Sequence, residues 1–172
     1  SQDWLPTTMA GQMKKLGYET CFWYGGSLNW GSLVHFAPST GFDHAYGGPD
    51  FCPSDAPRTW LGIYDHIYLE EVAKKIESEV GDKPKFHFIY TTSNHGPYHM
   101  PYEEYGIHES DTISLPWGKL KSGDTDMQRY KGILYADRSV ANFVERMKKL
   151  DKDSLFILTG DHSTVVISFD KE

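Results

Sequence analysis

The sequence predicts an α/β protein: a mainly parallel sheet flanked by helices. Helical and strand-like segments alternate along the chain, and the three strongest strand segments read as continuous apolar runs. Strands buried on both faces give such runs, and they belong to parallel sheets covered by helices. No internal repeat or low-complexity segment interrupts the alternation.

The first element is a helix. Pro6 suits a helix start, Thr7 or Thr8 offers a capping hydroxyl, and Met9, Met13 and Leu16 recur at helical spacing before Gly17 supplies a left-handed stop. Residues 18–24 follow as an aromatic-rich strand closed by Gly25-Gly26, and residues 30–36 as a short helix ending before Pro38. Residues 41–57 are rich in Gly, Pro and Asp and read as an irregular loop with room for one short strand. Residues 65–80 form a second helix, with Ile67, Val72 and Ile76 toward the core and Gly81 stopping it. Residues 86–92 are a buried strand. A polar, Pro-rich excursion over residues 94–124 follows, and loops of that length are usually functional or mobile. Residues 126–150 give the longest helix, with Tyr130, Ile133, Leu134, Val140, Ala141, Val144 and Met147 as its apolar stripe. Asp137 falls on that stripe, where a buried carboxylate would accept loop hydrogen bonds in a structural role. Residues 155–159 are the last firm strand, running into Gly160-Asp161-His162, and residues 165–169 offer a further one.

A chain of 172 residues is about one domain's worth. Its 39% hydrophobic and 24% charged composition is ordinary for a globular protein, and its charge of -7 argues against nucleic acid or an anionic membrane surface as partner. Cys21 and Cys52 are too few for a disulfide framework, have no metal-type spacing and do not reveal the compartment. No apolar run is long enough to span a membrane, and no signal peptide is present.

In an open parallel sheet, ligands gather outside the carboxyl ends of the strands. The three strands run into Tyr24-Gly25-Gly26-Ser27-Leu28-Asn29-Trp30, into Ser93-Asn94-His95-Gly96-Pro97-Tyr98, and into Gly160-Asp161-His162-Ser163. A parallel sheet would set all three on one rim. Asp161 and His162 pair a carboxylate with an imidazole, which suits zinc or manganese, although two ligands do not make a site. The alternative is a turn in which Asp161 caps the backbone and His162 is solvated. His95, in a sharp turn, would donate to an anionic oxygen or simply stand in water. Gly25 and Gly26 allow close backbone approach, with Tyr24 and Trp30 either walling an organic substrate or belonging to the core. His35, His44, His66 and His87 lack such settings.

The order of short motifs along nearly the whole chain resembles the lipoteichoic acid synthase and phosphoglycerol transferase branch of the alkaline phosphatase-like superfamily. These are Gly-Tyr-x-Thr (Gly17 to Thr20) leading into Tyr-Gly-Gly, then Gly-Phe-Asp (Gly41 to Asp43) and Gly-x-x-Asp (Gly62 to Asp65). Ser-Asn-His-Gly-Pro-Tyr, Tyr-Ala-Asp (Tyr135 to Asp137) and Gly-Asp-His complete the series. The resemblance implies a partial alkaline phosphatase-like fold, a single partial domain over residues 1–172. Asp161 and His162 would be two ligands of a catalytic metal, manganese or another divalent ion, in the intact parent. His95 would contact the phosphate or sulfate of a substrate, Trp30 would wall the pocket, and Tyr24 would stand where relatives often carry a histidine. The implied substrate is a phosphate or sulfate ester, lipid-linked in some relatives, handled by a parent on the extracytoplasmic face of a bacterial inner membrane or in the periplasm. The segment itself would be soluble and would touch no membrane.

Two departures matter. The family's nucleophilic threonine and metal-binding glutamate lie upstream of this segment, so Thr7 and Thr8 do not take the nucleophile's place. The synthases also carry an arginine shortly after the pocket tryptophan, where this chain has Gly31-Ser32-Leu33. The fragment is therefore expected to be inactive and to bind metal poorly. The alternatives for the parent are a sulfatase acting on sulfated sugars and a non-catalytic binding module of the same fold.

Overall fold

β1 (Glu19–Tyr24) is the middle strand of a three-stranded parallel sheet, between β2 (His44–Gly47) and β3 (Lys85–Tyr90). The computed structural model describes residues 4–79, 81–108, 119–120, 124–162 and 169–170. The register sets Tyr24 opposite both Gly47 and Tyr90, so the three strands finish at one level. From Thr20 to Tyr24 no residue of β1 is more than 2% exposed, which is why this strand reads as a continuous apolar run.

Alternate residues of β1 serve opposite faces. Phe22 and Tyr24 join a core with Ala37, Leu28, Leu33, Phe42, Ala45 and Tyr90, closed by α2 (Leu33–Ser39). Pro38 lies in the last turn of that helix, which runs past the expected stop. Trp23 faces the other way, stacked on Tyr46 at 4.4 Å and edge-on to Phe51 of α3 (Gly48–Phe51) at 5.6 Å. Phe51 leads to Tyr68, a fully buried residue of α4 (Asp65–Ser78). The expected face of α4 is partly right: Val72 is fully buried, but Tyr68, Leu69 and Ala73 share the core with it, while Ile67 and Ile76 are only half-buried.

α1 (Met9–Lys15) begins as read, with the Thr8 hydroxyl accepting from Gly11 N at 3.0 Å, and the chain leaves it through Gly17 at φ +90°. Its packing face differs from the expected one. Met9 and Leu16 are 63% and 71% exposed, and the buried positions are Ala10 and Gly11. A side chain at Gly11 would strike the Trp4 ring, so this helix docks through its smallest residues. Its Lys14 pairs with Asp43, whose other oxygen accepts from the backbone N–H and the hydroxyl of Thr20, both at 3.0 Å. Burial pushes the Asp43 carboxyl up, but the Lys14 and Thr20 hydrogen bonds outweigh it and hold the group below the usual carboxylate range. Thr20 of the Gly-Tyr-x-Thr motif and Asp43 of the Gly-Phe-Asp motif thus hold one another.

The Trp23 indole donates to His87 Nδ1 at 3.0 Å, which fixes His87 as a neutral ring. Burial, with Lys85 beside it, lowers the His87 pKa to about 4, against the weaker opposing pull of Glu19 and Glu79. The unfolded chain therefore takes up this proton near the ordinary histidine pKa and the folded chain only near 4. Stability is fully present well above pH 6.5 and falls as the pH drops toward 4, by about 3 kcal/mol. Urea midpoints measured from pH 7.5 to 4 should show that slope. His87→Gln, which still accepts the indole hydrogen bond but does not titrate, should remove most of it; His66, lowered by burial, leaves a small remainder of the same sign.

The chain divides into two compact units, Ser1–Thr92 and Ser93–Glu172. The second is built on α5 (Asp124–Leu150) and a 3-10 turn at Tyr102–Tyr105. Tyr135 of α5 lies 6.2 Å from Tyr102 and 5.9 Å from Tyr105, and Arg138 Nη1 donates to Gly106 O at 2.8 Å. The helix turns its Lys131, Tyr135 and Ser139 ridge inward, with Met147 further along. Ile133, Asp137 and Ala141 are exposed, so the expected buried role of Asp137 is corrected; of the expected apolar stripe Met147 is buried and Tyr130, Leu134, Val140 and Val144 are half-buried.

A larger correction concerns residues 155–159. They form no strand, and among the described residues their backbone makes no hydrogen bond. The run has strand composition but, among the described residues, no neighbour to ladder with. The further strand expected at residues 165–169 lies mostly outside the described residues; its last residue opens β5 (Phe169–Asp170), which pairs antiparallel with β4 (Lys119–Leu120). Among the described residues, no helix is long and apolar enough to cross a membrane.

Candidate functional site

The carboxyl rim of the sheet in the first unit is a frame of closely opposed backbones. Beyond Tyr24, Gly25 N donates to Tyr90 O at 3.0 Å, Gly25 O accepts from Ile63 N at 3.0 Å, and Gly26 O accepts from Gly48 N at 3.0 Å. Three segments meet with no room for side chains. A Cβ at Gly48 would sit 2.4 Å from Gly25 O, one at Gly26 2.3 Å from Leu61 O, and one at Gly62 2.5 Å from Thr92 Oγ1. Asp65, fully buried, accepts from Thr92 N at 3.0 Å. The Gly-x-x-Asp motif therefore grips the chain just past β3: its glycine lets the backbone in and its aspartate satisfies an amide that the sheet has released.

On this frame sits the first pair of predicted residues. Tyr24 is 1% exposed, its hydroxyl has no hydrogen-bond partner among the described residues, and burial, reinforced by Tyr90, pushes its pKa up to about 12. Trp30 stands over it with ring centres 6.0 Å apart and planes 25° apart, and is 49% exposed. Tyr24 thus forms the floor and Trp30 presents the surface, an indole face suited to stacking on a ring or covering an apolar stem. Directly after Trp30, Gly31 and Ser32 both turn left-handed at φ +57° and +60°. The strain at Ser32, about 1–2 kcal/mol, leaves a short turn that brings no cation beside the indole.

The other predicted residues belong to the second unit. His95 is exposed, and its Nδ1 lies 2.9 Å from Gly96 O. A carbonyl only accepts, so Nδ1 donates. Its loop lies against α5, where a side chain at Gly132 would meet Tyr98 and Asn94. Asp161 and His162 stand together, with His162 N donating to Asp161 Oδ1 at 2.9 Å and His162 Nε2 3.3 Å from Asp161 Oδ2; both side chains are more than half exposed. One carboxylate and one imidazole at this spacing fit two positions of a divalent metal shell, but among the described residues no group of three or more His, Cys, Asp or Glu side chains could complete one. A cavity of about 240 Å³ in the second unit is lined by Met100, Pro101, Tyr102, Glu103, Glu104, Gln128 and Lys131, none of them among the residues singled out from sequence.

The structure therefore joins Tyr24 to Trp30 and Asp161 to His162. Asp65 and the close approach at Gly48 and Gly62 were not read from the sequence as parts of the rim. The Gly-x-x-Asp spacing carried that signal for Gly62 and Asp65, whereas Gly48 had none beyond its place in a Gly-rich loop.

A three-stranded parallel sheet flanked by helices has an alkaline phosphatase-like α/β architecture. The chain belongs to the sulfatase family, whose model matches residues 5–168. It is 23% identical over 157 residues to the lipoteichoic acid synthase-like protein YvgJ of Bacillus subtilis, an alignment covering 90% of this chain and 24% of that protein. Among solved structures it resembles an alkaline phosphatase superfamily protein from Vibrio parahaemolyticus, with 26% identity, a TM-score of 0.58, and coverage of 82% of this chain and 31% of that one. It also resembles the lipoteichoic acid synthase LtaP from Listeria monocytogenes, with 19% identity, a TM-score of 0.65, and coverage of 86% and 34%. The chain thus spans about a quarter of the length of the curated relative and about a third of the solved ones.

Proposed function

We propose that this chain is the carboxy-terminal part of the catalytic domain of a metal-dependent phosphoglycerol transferase or sulfatase, acting on phosphate or sulfate esters through a covalent threonine ester, and that it is inactive in isolation. The carrying observation is the Asp161-His162 pair, a mixed carboxylate–imidazole donor set two ligands wide and open to solvent. In the parent, Asp161 and His162 would hold a divalent ion, manganese or a similar metal, which when bound would favour the ionised hydroxyl of the nucleophile and screen charge on the ester. Trp30 on its Tyr24 floor would cover the organic part of the substrate. His95 would contact the phosphate or sulfate of the substrate. Two ligands alone would hold a metal weakly, which supports inactivity in isolation. The parent's place would be the extracytoplasmic face of a bacterial inner membrane or the periplasm, with a phosphate or sulfate ester as its substrate.

A sulfatase acting on sulfated sugars is favoured over a glycerol phosphate enzyme by one observation, the left-handed Gly31-Ser32 turn standing where the synthases have arginine. Parallel assays of the intact parent on sulfated sugars and on phosphoglycerol lipids separate the two. A parent without an upstream threonine and glutamate would point instead to a binding module. Asp161→Ala in the parent should lower turnover on the better substrate by at least about a hundredfold and abolish metal binding. The same change should leave the thermal midpoint of the isolated chain unmoved, because the Asp161 side chain is 52% exposed. Tight stoichiometric manganese binding by the isolated chain in a calorimeter would contradict this assignment.

A further inference from the structure

The cavity of about 240 Å³ in the second unit lies between the 3-10 turn at Tyr102–Tyr105 and α5. Its lining combines Met100, Pro101 and Tyr102 with Glu103, Glu104, Gln128 and Lys131. Lys131 is 7% exposed, and a lysine packed so deeply keeps its stem among its neighbours and its ammonium toward the open space. An ammonium carries three donors. Among the described residues its one ion-pair partner is Glu103 Oε1 at 3.6 Å, beyond hydrogen-bonding distance, and the Glu103 side chain is 71% exposed. A charge so far buried calls for closer acceptors than that.

The other charges of the lining narrow what those acceptors belong to. A simple anion at Lys131 would stand beside the carboxylates of Glu103 and Glu104 and be repelled by them. A simple cation, a metal ion included, would be drawn to those carboxylates but meet the Lys131 ammonium. A molecule bearing both charges suits both. Gln128, three positions before Lys131 on the same face of α5, adds an amide that donates to an oxyanion or accepts from an ammonium. The volume is smaller than a drug-sized pocket, and Met100 and Pro101 offer apolar contact to a short chain. We propose that this cavity binds a small zwitterion of the amino acid class, its carboxylate on Lys131 and its ammonium at Glu103 and Glu104, joined by a short aliphatic chain. Such binding goes beyond the ester chemistry proposed above and needs neither the Asp161-His162 pair nor a nucleophile.

The test is a titration of the 172-residue chain with glycine, 4-aminobutyrate and 6-aminohexanoate, followed by nuclear magnetic resonance at the amides of Glu103, Glu104 and Gln128. At least one of the three should saturate these shifts, with a dissociation constant on the order of 1–10 mM. Butyrate and butylammonium, each with one of the two charges, should bind at least about tenfold more weakly. Lys131→Met keeps the length of the stem and removes its charge. It should abolish saturation while holding the thermal midpoint, because the partner it leaves, Glu103, is solvated. Glu103→Gln combined with Glu104→Gln, both at exposed positions, should let butyrate bind as well as 4-aminobutyrate. Butyrate matching the amino acids in the unaltered chain (an anion site), saturation that survives Lys131→Met, or no saturable shift with any of the three would each overturn the assignment. If Lys131→Met unfolds the chain, the double glutamine variant decides: a preference for 4-aminobutyrate over butyrate that persists there would overturn it as well.

Discussion

Trp23→Ala should cost the first unit about 3–5 kcal/mol, enough to leave much of it unfolded at room temperature. Trp23 is fully buried and holds the face of β1 opposite Phe22 and Tyr24. Its ring touches Tyr46 of β2 and Phe51 of α3, and its N–H reaches His87 of β3, so one side chain links all three strands and the helix above them. No neighbour is placed to fill the cavity, since its partners belong to strands and a short helix whose backbones are already paired. Urea unfolding followed by far-ultraviolet circular dichroism measures the loss. Trp23→Phe keeps most of the packing and removes only the donor, so it should cost about 1–2 kcal/mol. A Phe variant as damaging as Ala would mean that the hydrogen bond, rather than the packing, holds the layer together.

The second large effect belongs to the glycines of the rim. Gly48→Ala would press a methyl group to 2.4 Å from Gly25 O, and Gly62→Ala would press one to 2.5 Å from Thr92 Oγ1 and 2.7 Å from Gly25 O. Both obstacles at Gly25 are backbone, which cannot turn aside as a side chain can. Each substitution should cost about 3 kcal/mol, at the upper end for overpacking, because relief requires moving a strand tip. Gly17→Ala and Gly81→Ala are useful controls of opposite kinds: neither meets an atom within 4 Å, but only Gly17 has positive φ. Gly17→Ala should therefore cost about 1 kcal/mol from backbone strain, and Gly81→Ala almost nothing. Thermal midpoints that rank Gly48 and Gly62 well below Gly17, with Gly81 unchanged, would establish that contact rather than conformation makes the rim intolerant.

The sequence placed both long strands, but β3, expected to be buried, is only half-buried along its length with Phe88 45% exposed, so β1 alone bears out the reading of cover on both faces. Thr20 to Tyr24 is covered on both faces, and the run says so. β2 was readable only as one short strand in a loop, since four residues, two of them half-buried, carry too little pattern. α1 misled because its contact is made by Ala10 and Gly11, residues whose value lies in their lack of bulk and which leave no hydrophobic trace. On α5 Tyr135 was placed in a motif, but the ridge through it was not recognised as the buried one. Residues 155–159 carry the composition of a strand whose neighbours are not among the described residues. At the rim, Tyr24 and Trp30 were named as walls, but sequence could not say that one lies under the other. The hydrogen bond from Thr92 to Asp65 spans 27 positions and involves a backbone amide, which has no sequence signature.

The two cysteines give the first unit a built-in gauge. Cys21 is 1% exposed on β1 and Cys52 9% exposed after α3, and burial, with nearby carboxylates, raises both thiols to about 12. At neutral pH they are protonated and out of reach of solvent, so a disulfide reagent has no thiolate to attack while the layer is closed. Cys21 lies at the centre of the sheet and Cys52 at its margin, so their labelling rates should differ. The slower reports the opening of the whole layer and the faster the loosening of the loop that carries Cys52, two local stabilities read from one chemical reaction.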